Sequence, residues 1–200
     1  MRCYPPSLLF AAALALVPGA AEAALVCSGP LDLAVPQTGE GLYINLVTGD
    51  SGESEGQVPG FDVDPYAAQN SEPAHQLKFY WGSSSNGGAG VASSGDTYAV
   101  LQLGDTIGPD STFTRAAFTG DTSAWQAGVA EGHLGMRFTN EATGLLNYGW
   151  LRLRSSAPLG FPLTVVDGCH DDSGAAVTIT AAPVDRVYCD GFDGEACASR

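Results

Sequence analysis

The residues that could do chemistry are few, and their spacing decides how far each can be taken. Gly49-Asp50-Ser51-Gly52 matches the core of the chymotrypsin-type serine motif. That chemistry needs a histidine to take the serine proton and a carboxylate to orient it. In that arrangement the histidine precedes the serine in sequence, yet no histidine precedes Ser51, and Glu53 replaces the second glycine of GDSGG. The tetrapeptide reads as a turn in an acidic loop. His75, His133 and His170 lie far apart and lack HExxH or HxH spacing, so they do not announce a zinc or iron site. His170 with Asp171 and Asp172 is the densest polar knot, and it reads as a loop beside a cysteine.

Two acidic stretches invite a calcium reading. Asp62-x-Asp64 could supply two oxygens, with Asp50, Glu53 or Glu55 close in sequence. It lacks the further acidic ligands and the glycine of an EF-hand loop, as does Asp190-Gly-Phe-Asp-Gly. Solvated turns are the expectation, no cofactor is called for, and calcium stays open as an alternative. Aromatic rings on an exposed β face are a common way to hold a sugar. Tyr148 and Trp150 share one face of a strand with Arg152, and Tyr80 lies on another strand. These three rings are the candidate ligand platform, weighed against ordinary packing.

Cysteine usage points to an oxidising compartment. Cys3 lies in an N-terminal stretch with the layout of a secretory signal: Arg2, the apolar run Leu8–Val17, Pro18-Gly19, then Ala21-Glu22-Ala23. Cleavage is expected after Ala23. The apolar run is about half the roughly twenty residues that span a bilayer, and Val26 before Cys27 does not suit a lipoprotein signal. Cys27, Cys169, Cys189 and Cys197 then remain, an even number, and two disulfides are expected. Cys189 with Cys197 would close a local loop, leaving Cys27 for Cys169. Four scattered cysteines without a CxxC pair argue against zinc.

The composition narrows the partners. Eight basic against 22 acidic residues give a formal net charge of −14, and Lys78 is the one lysine. The leader carries one charge of each sign, so its loss leaves that balance unchanged. Phosphate binding needs clustered Lys or Arg, so nucleic acid and anionic lipid are poor partners. No second long apolar stretch follows the leader. An extracellular glycan or another surface component fits the charge better.

The elements that must position these residues are strands. After the leader, apolar residues do not recur at helical spacing, and 26 glycines punctuate the chain. Strand-like runs appear at 31–35, 41–47, 76–81, 98–103, 133–139, 146–154, 161–166 and 176–180. In the fifth, Leu134, Met136 and Phe138 share one face; Asn140–Gly144 reads as a hairpin loop, and Leu151 and Leu153 return on one face. The stretch 48–70 is polar and acidic and reads as a surface excursion. The expected fold is all-β, a two-sheet antiparallel sandwich, of jelly-roll or immunoglobulin-like order. The organisation expected is a signal peptide at 1–23, the sandwich at 24–181, and a linker and stapled tail at 182–200.

Several segments carry a family resemblance: GLYINLVTG (41–49), PGFDVDPY (59–66), LKFYWG (77–82), IGPDSTF (107–113), GMRFTNEATGLLNYGWLRL (135–153) and GFPLTVVDG (160–168). Together they resemble a group of uncharacterised secreted β-rich proteins of Gram-negative bacteria of the Lysobacter and Xanthomonas type. VYCDGFDG (187–194) resembles a short Asp-Gly-Phe-Glu-like C-terminal tail of such exported proteins, with Asp193 where Glu is usual. The chain departs from the group at 168–174. The resemblance implies export, a β fold and a tail read by other machinery. It implies no catalytic residue. A non-enzymatic extracellular or surface-associated protein is the leading expectation, with a glycan- or calcium-binding module second and an unrecognised hydrolase third.

Overall fold

The hairpin that the alternation of 133–154 requires is the spine of the molecule. The computed structural model describes residues 25–82, 87–115 and 120–181. The leader, Cys3, the Cys189–Cys197 pairing, the Asp190 loop and the tail 182–200 lie outside the described residues.

Fourteen strands form along the described chain. The first seven are β1 (Leu25–Cys27), β2 (Leu33–Val35), β3 (Tyr43–Ile44), β4 (Ser51–Gly52), β5 (Val63–Ala68), β6 (Gln76–Trp81) and β7 (Ala89–Gly90). Then come β8 (Ala92–Ser94), β9 (Thr97–Tyr98), β10 (Thr106–Ile107), β11 (Gly132–Asn140), β12 (Leu145–Arg154), β13 (Leu163–Asp171) and β14 (Val177–Thr178). A 3-10 turn at Glu55–Gln57 and one helical turn, α1 (Ser123–Gln126), interrupt them.

A six-stranded sheet runs β1-β13-β12-β11-β7, with β2 on the far end of β13. A four-stranded sheet runs β4-β3-β5-β6, and two ribbons, β8–β9 and β10–β14, complete the set. Every strand pairing is antiparallel. The architecture is an all-β sandwich. Leu134, Met136, Phe138, Leu151 and Leu153 from the large sheet meet Ile44, Val63, Leu77, Phe79 and Trp81 from the small one in the main core. At the hairpin turn, Asn140 caps the chain reversal: its Oδ1 accepts the Ala142 N–H at 2.9 Å, and its carbonyl accepts the Gly144 N–H at 2.7 Å.

The large sheet buries its other face as well. Tyr148, Trp150 and Cys169 pack there with Val91 from between β7 and β8, Ile107 of β10, Val177 of β14 and Ile179 just after it. The pattern of one wetted face per strand expected from the sequence therefore fails here. A bulge where β12 passes β13 at Arg152/Leu153 accommodates the two cores. It turns Leu163 and Val165 toward the main core before it, and Gly168 and His170 the same way after it.

Four other expectations are corrected. The strand expected at 41–47 pairs only over Tyr43–Ile44. It ends because the Asn45 side chain takes the Val47 and Thr48 N–H groups, at 2.9 and 3.0 Å, and so competes with the ladder. The strand expected at 98–103 pairs in full only to Tyr98; Leu101 still bridges His133, and beyond it a turn held by Asp105 Oδ2 on the Gln102 N–H leaves Leu103 exposed. The stretch 48–70 is no excursion: it contains β4, all of β5 and the buried Val58, Phe61 and Val63. The knot of His170, Asp171 and Asp172 is not a loop throughout, since β13 runs through His170 and Asp171 between β12 and β1, and only Asp172 lies past its end.

The approach of β7 to the core is tight enough to test. A side chain at Gly90 would place its Cβ 2.6 Å from the Tyr98 ring and 2.8 Å from Trp81. Those rings are fully buried and fixed to each other, Trp81 Nε1 donating to Tyr98 Oη at 2.9 Å. Gly90→Ala is expected to destabilise by about 1–3 kcal/mol through overpacking, read from urea denaturation. A change within a few tenths would mean that β7 has room to retreat.

Candidate functional site

The most unusual polar chemistry lies where β3 meets β5. In Phe61-Asp-Val-Asp-Pro-Tyr-Ala67, Val63 and Ala67 turn into the main core and are fully buried. Period-two alternation therefore places Asp62, Asp64 and Tyr66 on the opposite, outer side of the small sheet. Ile44 and Val63 form the one paired position between β3 and β5. Beside it the Leu42 N–H also meets the Pro65 carbonyl at 3.2 Å and the Asp62 N–H meets the Ile44 carbonyl at 2.8 Å, and on either side a carboxylate supplements these bonds. Asp64 Oδ1 accepts the Leu42 N–H at 2.9 Å, and Asp62 Oδ2 accepts the Leu46 N–H at 2.7 Å. Gly41, at φ 56°, lets the chain close on this point, because a Cβ there would collide with Asp64 and the Pro65 carbonyl.

Both carboxyl groups are buried, and Asp62 Oδ1 has no hydrogen-bond partner. Burial pushes Asp62 up to about 8 against the pull of the Leu46 N–H, and Glu141 pushes it further. Asp64 is likewise pushed up to about 8, by burial first and the Glu40 charge in addition, against the Leu42 N–H. Burial, then the Asp64 charge, also raises Tyr43 and Tyr66 above the ordinary phenol value.

Beside these carboxyls is a small hydrophobic cluster of Tyr43, Val58 and Phe61, with half-buried Tyr80 against it. Tyr43 meets Phe61 edge-on with ring centres 4.8 Å apart, and Phe61 lies 5.6 Å from Tyr80. Tyr43 Oη donates to Glu40 Oε2 at 3.2 Å. An open cleft lined by Glu55, Pro59, Gly60, Phe61 and Gly82 runs along the cluster's edge.

The candidates named from the sequence are not brought together. Tyr148 and Trp150 are buried in the second core, 6 % and 1 % exposed, so they present no ring to solvent. Their reading as a ligand platform is corrected; Phe113, stacked near Tyr148 with ring centres 6.2 Å apart, is part of what covers that face. Tyr80 keeps a partial exposure beside the cleft. Asp62 and Asp64 do not converge on a shared point, since each is turned to a different backbone N–H. Among the described residues, no three His, Cys, Asp or Glu side chains gather as a metal site would require.

Ser51 lies in β4, and the small cavity beside it is lined mainly by apolar residues such as Leu31, Leu33 and Leu151, with no histidine. His75 occupies an exposed turn at φ 64°. His133 and His170 face opposite sides of the large sheet. The first has its Nδ1 3.3 Å from the Leu101 carbonyl, and the second packs edge-on against Phe138. Burial lowers both below the ordinary histidine value. Arg152, on the rim of the second core, forms a two-pronged ion pair with Asp167 and reaches Glu131 at 3.2 Å.

Of the expected disulfides, Cys27–Cys169 is formed, with the two residues directly opposite in the β1–β13 ladder. The Asp62/Asp64 clamp is what sequence reading missed as a unit. Its signal was present, in an aspartate–apolar alternation that the acidic setting disguised as loop.

With this geometry in view, the comparisons add no relative: no family model matches the chain, and neither a curated protein nor a solved structure does. The class defined by the fold is a disulfide-bonded β-sandwich. Among the described residues, no helix is long and apolar enough to cross a membrane.

Proposed function

We propose that the chain works outside the cytoplasm as a non-catalytic β-sandwich with a structural or adhesive role at the cell surface or in its matrix. The observation that carries this reading is the use to which reactive side chains are put. Asp62, Asp64 and Asn45 hold backbone N–H groups, His133 rests against a backbone carbonyl, and Asp167 is neutralised by Arg152. The leader, the Cys27–Cys169 staple and the resemblance to secreted β-rich proteins support export. The acidic surface suits an uncharged glycan or another envelope polymer as the component met.

Complementation tests this reading. A strain lacking the protein should show altered surface attachment or matrix cohesion, with the protein recovered outside the cytoplasm and starting near Ala24. A chain carrying Ser51→Ala with His75→Asn should restore the phenotype as fully as the unaltered one. Failure of that variant, folded and exported at normal levels, would overturn the non-catalytic reading, and an intact Met1 on exported material would overturn the export route.

A further inference from the structure

The segment from Glu40 to Phe61 is attached to the small sheet in an unusual way. One paired position, Ile44 with Val63, joins β3 to β5, flanked by backbone bonds from Leu42 N–H to the Pro65 carbonyl at 3.2 Å and from Asp62 N–H to the Ile44 carbonyl at 2.8 Å, and two buried carboxyl groups add their grip at the Leu42 and Leu46 amides. A buried carboxylate is tolerated when a cation or several donors meet it. Here each group has one short backbone N–H bond, and Asp62 Oδ1 has none at all.

The surrounding charge makes ionisation worse. Glu40 bears on Asp64 from the chain before β3, and Tyr43 on β3 is next to Asp64, with Glu55 of the 3-10 turn bearing on Tyr43 in turn. Tyr66 stands on β5, Tyr80 lies opposite Asp64 on β6, and Glu141 reaches over Gly60 from the β11–β12 turn. Lys78, the one cation in the sequence between residues 25 and 82, is paired with Tyr66, and its ammonium group donates to the Gly120 carbonyl at 3.2 Å. Among the described residues, the charges that bear on the two carboxyls, Glu141 on Asp62 and Glu40 on Asp64, are both acidic.

We propose that Asp62 and Asp64 form a proton-held latch: neutral, they hold residues 40–61 on the sheet, and ionised, they release them. Release would separate Tyr43, Val58 and Phe61 from Tyr80 and expose an aromatic surface that the closed form covers. The values near 8 for both groups place the change at mildly alkaline pH. The sign follows from proton linkage. A carboxyl whose folded value lies above its unfolded one binds more protons in the folded state. Its stabilisation is therefore complete below about pH 4 and is lost as pH rises through about 8. The latch is closed in acid and open in base.

Hydrogen exchange on the mature chain, corrected for intrinsic rates, tests this directly. Between about pH 6 and about pH 9, protection at the Leu42 and Leu46 amides should fall at least about tenfold, while β11–β12 amides hold theirs. Binding of an apolar dye should rise over the same interval. Asp62→Asn with Asp64→Asn keeps an acceptor at each position without a titratable charge, and should give a flat profile. Unchanged protection in the wild type would overturn the latch. So would an equal loss in the double variant, which would assign the effect to the overall charge. Should the double variant fail to fold, carboxyl carbon-13 titration of the wild type decides: midpoints near 8 support the latch, and midpoints near the ordinary 4 overturn it.

Discussion

Replacing Cys27 and Cys169 together by alanine is expected to lower the melting temperature by about 10 °C. The bond joins positions 142 residues apart, and a link of that span removes about 5 kcal/mol of chain freedom from the unfolded state in the entropy model, with measured effects of 2–5 kcal/mol. For a domain of this size each kcal/mol is worth about 2–4 °C. The local structure makes the staple more important than a surface crosslink. β1 is three residues long, pairs with β13 alone, and leaves Leu25 and Val26 about 40 % exposed. Without the bond, little apolar burial holds it. Cys169 belongs to the second core beside Trp150, so the loosened edge would also open that core to water. Thermal melts of the oxidised wild type and the double variant measure the effect. A loss below about 2 °C would show that β1 is held by its ladder and not by its staple. Edge opening should also raise aggregation, since β13 would then offer unpaired backbone groups.

What could be read from the sequence followed from one-sided burial. At 133–154 the core residues and the turn residues agree: Leu134, Met136, Phe138, Leu151 and Leu153 all enter the main core. The strand at 76–81 has the bounds its alternation gives, with Leu77, Phe79 and Trp81 inward. Reading failed where both faces of a strand are buried, because periodicity then no longer separates core from solvent. Tyr148 and Trp150 are the clear case. Their parity was read correctly as opposite to Leu151 and Leu153, but nothing local shows that β10 and β14 fold back to cover them. It failed again where side chains compete with or supplement ladder bonds. Asn45 ends β3 three residues early in its run, while Asp62 and Asp64 serve a strand some twenty residues away. An aspartate buried as a backbone acceptor has the same letter as one in a solvated turn. Only the pairing of β3 with β5 distinguishes them.

Phe138→Ala is expected to destabilise the protein by about 3–5 kcal/mol, lowering the urea midpoint with little change in slope. Phe138 is fully buried, lies opposite Asn147 in the β11–β12 ladder, and meets the buried His170 ring edge-on at 5.8 Å. Truncation removes the transfer energy of the ring and leaves a hole in the main core, among side chains fixed on two sheets. Two polar neighbours bear on the loss in opposite ways. His170 would lose its aromatic contact, and Asn147 already carries a buried Oδ1 without a partner. Water admitted to the hole could satisfy that oxygen and return part of the energy, so the lower end of the range is the better expectation if the cavity hydrates. Leu145→Ala, at a half-exposed position on the same hairpin, is the control and should stay within about 0.5 kcal/mol. The pair of measurements separates side-chain placement from general hairpin damage. Comparable small effects at both positions would mean that the β11 parity is inverted, because a slip of one residue exchanges the two faces of a strand. Comparable large effects would instead make the hairpin turn, and not the Phe138 cavity, the weak point.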